Sequence, residues 1–139
     1  MIKAISIKQP WAWCFLHGKN VENRDWRYAP SYRGSILIHA SKSFDFEGYE
    51  WLHRGPLIYF PAVIPRPSEF QKGGFIAVGN LSGTCKEWDD NPWFFGPLGL
   101  IIENVKPVPF TPFRGQLSLF DVPGGVVRTI FEGFESCGA

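Results

Sequence analysis

The chain is interrupted at short intervals by residues that break regular structure: 12 prolines and 15 glycines are spread through its 139 residues. Proline lacks a backbone donor and clashes with the preceding helical turn, and an interior glycine costs a helix about 1 kcal/mol relative to alanine. Few and short helices are therefore expected. The apolar runs are too short for the ~20 consecutive residues of a membrane-spanning helix, so no membrane partner is expected. Residues 55–74 contain Pro56, Pro61, Pro65 and Pro67 and cannot be one regular element. They predict a long surface loop.

Between the breaks the chain is rich in core-forming residues, with 45% hydrophobic, 17% aromatic and 19% charged. That balance excludes an intrinsically disordered protein and allows a buried core. The length suits one domain, and no repeat, low-complexity tract or linker divides it, so residues 1–139 read as a single domain. The segment Met1–Lys8 has neither the apolar block nor the cleavage site of a signal peptide, which makes a cytoplasmic protein the expectation.

Residues 2–7 read as a strand. Pro10 then opens a short helix bearing Trp11, Cys14 and Phe15 on one face, which Gly18 ends. Asn20–Arg24 and Ser35–Ala40 read as extended. Residues 44–54 predict a helix capped by Ser41 or Ser43, with Gly48 as a weak point inside it. Further strands are predicted at Gly74–Leu81, Leu98–Val105 and Arg114–Asp121, with a short helix after Gly125 through Phe134. About six strands with few, short helices and many turns predict an α+β fold, a small mixed β-barrel with peripheral helices.

Net charge is only +1, but it is unevenly distributed. Residues 1–42 hold seven bases against two acids, a net of +5, and the remainder holds seven bases against eleven acids, a net of −4. A basic N-terminal third suits an anionic partner if the fold gathers it on one face. The three cysteines, Cys14, Cys85 and Cys137, are odd in number and far apart, which rules out a complete disulfide framework. Cys14 and His17 have the spacing of two metal ligands on a helix. No second pair completes a tetrahedral site, so no metal is expected.

The segment carrying chemistry is Ser6-Ile7-Lys8-Gln9-Pro10-Trp11-Ala12-Trp13, continued by Gly18-Lys19-Asn20-Val21-Glu22-Asn23-Arg24. Glu22 and Arg24 share one face of an extended strand, and Lys19 can join them from the turn at Gly18. A carboxylate between two cations is held ionised and oriented, able to order a pocket, take a proton or meet the edge of a base. His39, on a neighbouring strand, is a candidate general acid or base. The same spacing also fits an ordinary surface ion pair worth ~0–1 kcal/mol. No phosphate-cradling glycine motif occurs, and no cofactor is implied.

This string closely resembles the activating signal cointegrator homology (ASCH) domain, of the pseudouridine synthase and archaeosine transglycosylase (PUA)-like fold. The family signature is G-x-K-x-x-E-x-R. Here Gly18 directly precedes Lys19, so one spacer is missing while the Lys-to-Glu-to-Arg spacing is intact. Leu37-Ile38-His39-Ala40-Ser41-Lys42, Gly73–Gly79 and Arg114–Phe120 also look familial, extending the resemblance over residues 3–123. It implies a PUA-like barrel whose cleft binds RNA, a nucleotide or a modified nucleoside. Lys19, Glu22 and Arg24 would line that cleft, with Lys8, Gln9, Trp11, His39 and Lys42 contributing. Lys19 and Arg24 suit phosphate or a base carbonyl, Glu22 a base amino group and Trp11 stacking. Two enzymatic branches are similar as well. One hydrolyses N4-acetylcytidine with a Lys, a Thr and a Glu. Lys19 matches that Lys, Glu22 occupies the Thr position, and Lys19 with Glu22 is the catalytic pair to consider. The other branch cuts single-stranded RNA. A third reading is a protein-interaction module using the aromatics from Trp88 to Phe95.

Overall fold

A computed structural model describes residues 2–54 and 63–138, with side chains through residue 133. The chain runs through β1 (Lys3–Gln9), α1 (Trp11–Cys14) with a 3-10 turn at Phe15–His17, β2 (Val21–Arg24) and β3 (Gly34–Phe44). It continues through α2 (Phe46–Arg54), β4 (Gly74–Cys85), β5 (Leu98–Pro112), β6 (Phe120–Asp121) and α3 (Gly124–Gly138). The six strands form one sheet in the order β2-β5-β4-β3-β1-β6, curled into a half-barrel. β1 runs parallel to β3, and every other pairing is antiparallel. This is the α+β architecture, a curled mixed sheet with few short helices, that the spacing of strands and breaks predicts.

Alternation along the strands sorts the core into two faces. Ile5 and Ile7 of β1, Ile36 and Ile38 of β3, and Leu98, Leu100 and Ile102 of β5 fill the inside of the curl. Ala4 and Leu37 point the other way, into a cluster with Phe75, Phe120 and Ile130 that α3 helps to cover. Each fully buried Ile, Leu or Phe contributes ~1.5–3 kcal/mol, so the two faces carry most of the folding energy.

The first helix forms and stops as its sequence dictates. Gly18 takes φ +108°, a left-handed conformation that glycine adopts without strain, and turns the chain into β2.

Three expectations are corrected. Helix α2 is capped by Asp45, whose Oδ1 accepts the Gly48 N–H at 2.9 Å. Ser41 instead bonds locally to the Ser43 N–H. The predicted strand Arg114–Asp121 shrinks to Phe120–Asp121, because residues 113–119 form a loop across the sheet that is fastened by His39. The tail helix runs past Phe134 to Gly138. Of the predicted Pro-rich loop, residues 55–62 lie outside the described residues. The rest includes a 3-10 turn at Pro67–Glu69.

Candidate functional site

At the end of the half-barrel lies an open cleft of about 1110 Å³. Its walls come from β1, β2, β3 and the 113–117 loop, so it exists only once the sheet has curled. Lys8, Trp11, Glu22, Arg24, His39 and Lys42 all line it. The alternation of β1 puts Ser6 and Lys8 on one face, and the parallel register sets Ser6 opposite His39.

Glu22 is the electrostatic centre. Its Oε1 lies 3.4 Å from Lys19 Nζ and its Oε2 3.0 Å from Arg24 Nη2. Lys19 is 4% exposed; its Nζ also donates to the Val21 carbonyl and faces the rings of Phe15 and Trp11 at 4.7 and 5.8 Å. Burial pushes the Lys19 ammonium down from its usual range, and the Glu22 carboxylate opposes that shift. Lys19 thus stands behind Glu22, on an adjoining cavity of about 170 Å³ shared with Trp11 and Trp93. Arg24 faces the cleft and donates from Nη2 to the Ser6 carbonyl at 2.9 Å.

Gln9 lies beneath the site. It is 1% exposed, its amide nitrogen donates to the Gln71 carbonyl, and its oxygen accepts the Trp13 N–H. Both ends of the side chain thus tie α1 and the segment before β4 to β1. Trp11 is fixed by a 2.8 Å bond from its indole N–H to Asp45 Oδ2, the carboxylate that caps α2. It also packs so closely on Gly48 that a Cβ there would lie 2.4 Å from Trp11 Cζ2. The residue read as a weak point in the helix is what lets the indole lie flat against it.

His39 is 2% exposed and held at both nitrogens. Nε2 lies 2.6 Å from the Phe113 carbonyl, which can only accept, so Nε2 carries the proton of the neutral ring. Nδ1 then accepts from the Ser6 hydroxyl at 2.9 Å. Burial pushes the imidazole below its usual range and outweighs the carbonyl bond, which favours the charged form.

Sequence reasoning missed Ser6, Arg114 and Gln116 as cleft residues. The signal available for Ser6 was its i, i+2 relation to Lys8. Arg114 and Gln116 arrive through a loop that read as a strand. The metal-like spacing of Cys14 and His17 is taken up by packing. Cys14 is fully buried with its thiol pushed up to about 12 by that burial, and the His17 ring lies 4.2 Å from Trp13. Among the described residues no helix is long and apolar enough to cross a membrane.

No family model matches the chain, and no curated protein matches it. Solved structures do. The crystal structure of ASCH from Zymomonas mobilis superposes with a TM-score of 0.57 at 12% identity, covering 91% of each chain. The structures of two point mutants of that protein give 0.57 and 0.58 at 13% and 12% identity, each covering 92% of this chain. The likeness is one of fold: the chain has the ASCH-type fold.

Proposed function

We propose that the cleft of this ASCH-type fold binds a short stretch of single-stranded RNA or a single nucleotide, with or without a modified base. The observation carrying this reading is the wall itself. Four cations, Lys8, Arg24, Lys42 and Arg114, surround an indole that is fixed on two sides. The carboxylates on the same wall are Glu22 and Asp25, and Glu22 is already paired with Lys19. The cleft is therefore net positive and attracts an anion.

Its volume lies just above the ~300–1,000 Å³ range of small-molecule sites, room for one nucleotide and part of its neighbours. Trp11 supplies a stacking face, worth ~1–3 kcal/mol per base in single-strand binders. Arg24 and the rim lysines meet phosphate, and Glu22, pinned between two cations, offers an acceptor to a base amino group. Lys19 helps to set the position of Glu22 from behind.

Isothermal titration with a five-nucleotide single-stranded RNA and with AMP tests the reading. Binding that falls at least ~10-fold in Arg24→Ala and in Trp11→Ala is expected. Equal affinity in both variants rejects the site.

The interaction-module reading loses its surface, because Trp93 is buried and Trp88 and Phe94 are half-buried. Phe95 is the only strongly exposed aromatic of that segment.

A further inference from the structure

One pair on the cleft wall is built for more than holding a ligand. Ser6 Oγ donates to His39 Nδ1 at 2.9 Å, and His39 Nε2 is anchored to the Phe113 carbonyl at 2.6 Å. A hydroxyl against a neutral imidazole, with a third group fixing the tautomer, is the arrangement that activates a serine nucleophile. Both residues line the cleft. The 113–117 loop comes so close above them that a Cβ on Gly115 would stand 2.7 Å from Ser6 Oγ and 2.9 Å from His39 Cε1. Arg24 holds the strand carrying the nucleophile through the Ser6 carbonyl, and its buried Nε has no hydrogen-bond partner. The strand carrying the hydroxyl is thus pinned by a guanidinium.

We propose that Ser6 and His39 form a nucleophile–base pair that hydrolyses a carboxylic ester carried on a nucleotide held in the cleft. The substrate class rests on the reading of the cleft as a nucleotide site.

Ser6 Oγ forms a bond to the acyl carbon while its proton passes to His39 Nδ1. The tetrahedral intermediate then collapses with cleavage of the bond between the acyl carbon and the ester oxygen, and the departing alcohol takes the proton from Nδ1. Water attacks the acyl-serine, His39 accepts one of its protons, and Ser6 leaves with that proton restored. Ester and water become acid and alcohol, and no redox partner is needed. Throughout, Nε2 keeps its proton on the Phe113 carbonyl. Burial favours the neutral ring, the form able to accept the serine proton.

A purely structural Ser6–His39 bond would pin the loop to the sheet and do no chemistry. The test separates the two. The full chain is incubated with an alkyl fluorophosphonate and, separately, with 3′-O-acetyl-AMP, while AMP binding is measured by titration. The expected results are a probe adduct on the Ser6 peptide, release of acetate, and a loss of at least ~10²-fold in kcat/KM in Ser6→Ala. AMP titration of the wild-type chain reports on the cleft separately from the chemistry. Removing one hydroxyl leaves the backbone ladder of β1 intact, so Ser6→Ala is informative even if a His39 variant fails to fold. No adduct on Ser6, or acetate release at the wild-type rate in Ser6→Ala, overturns the dyad. AMP binding without ester hydrolysis removes the dyad alone. Ser6-dependent cleavage of p-nitrophenyl acetate without AMP binding overturns the nucleotide as carrier.

Discussion

Arg24 and Ser6 are joined across the sheet: the guanidinium Nη2 donates to the Ser6 carbonyl at 2.9 Å. Their strands stand first and fifth in the order β2-β5-β4-β3-β1-β6, so the bond exists only because the sheet curls back on itself. One arginine therefore helps to close the half-barrel and forms part of the cleft wall. Glu22 holds the other side of the same nitrogen at 3.0 Å, and through it buried Lys19 is tied to the closure.

Replacing Glu22 should consequently harm stability as well as binding. Glu22→Ala strands the Lys19 ammonium, whose side chain is 2% accessible, without its carboxylate. Removing one partner of a buried pair typically costs ~3–5 kcal/mol. Urea unfolding should show a loss of that size, and a loss below 1 kcal/mol would mean that the pair is solvated in solution.

Gly48→Ala should act through Trp11. The added Cβ would meet Trp11 Cζ2 at 2.4 Å, and both the indole and α2 are restrained by Asp45. Overpacking of this kind costs ~1–3 kcal/mol. A lowered denaturation midpoint with altered tryptophan emission and weaker RNA binding is expected; a variant indistinguishable from wild type in all three contradicts the packing.

The pH dependence of stability has a definite sign. Burial lowers the folded-state values of His39 and His17 below the ordinary 6.5. Between the folded value and 6.5 the unfolded chain binds more protons, so stability rises with pH there and is lost as pH falls below 6.5. Chemical denaturation at pH 5.5 should give a lower unfolding free energy than at pH 7.5. His39→Gln should reduce that difference.

Salt should weaken RNA binding only moderately. Four rim cations and a slope of about −0.7 per phosphate contact on single strands predict a log–log slope no steeper than about −3. Lys42→Ala should make it shallower by roughly one contact. A slope near zero, or one unaffected by this variant, contradicts a phosphate role for the rim.

Much of this was legible from local pattern. β1, α1, the Gly18 stop and β2 follow from β-branched alternation, Pro10 and a glycine at positive φ, all signals within a few residues. The grouping of Glu22 with Arg24 follows from strand period, and Lys19 from the turn. What stayed hidden depends on distant partners. The alternation of Leu117, Ser118 and Leu119 imitates a strand, yet Ser118 takes φ +58° and Leu117 is 94% exposed. The loop's anchor is His39, 74 residues away from Phe113. The α2 cap is shared with Trp11, 34 residues earlier, and Ser6 meets His39 only through the parallel β1/β3 register. Gln9 sits in a motif rich in cleft residues, but strand alternation turns its amide inward.

The central claim is that the open end of the half-barrel is the ligand face. Amide chemical-shift mapping of the 15N-labelled chain during titration with a five-nucleotide single-stranded RNA tests it. The largest shifts should fall on Ser6–Lys8, Trp11, Asn23–Arg24, His39–Lys42 and Arg114–Leu117, and Arg24→Ala should abolish them. Shifts confined to α3 or to the Trp88–Phe95 segment, or a pattern unchanged in Arg24→Ala, would contradict the claim.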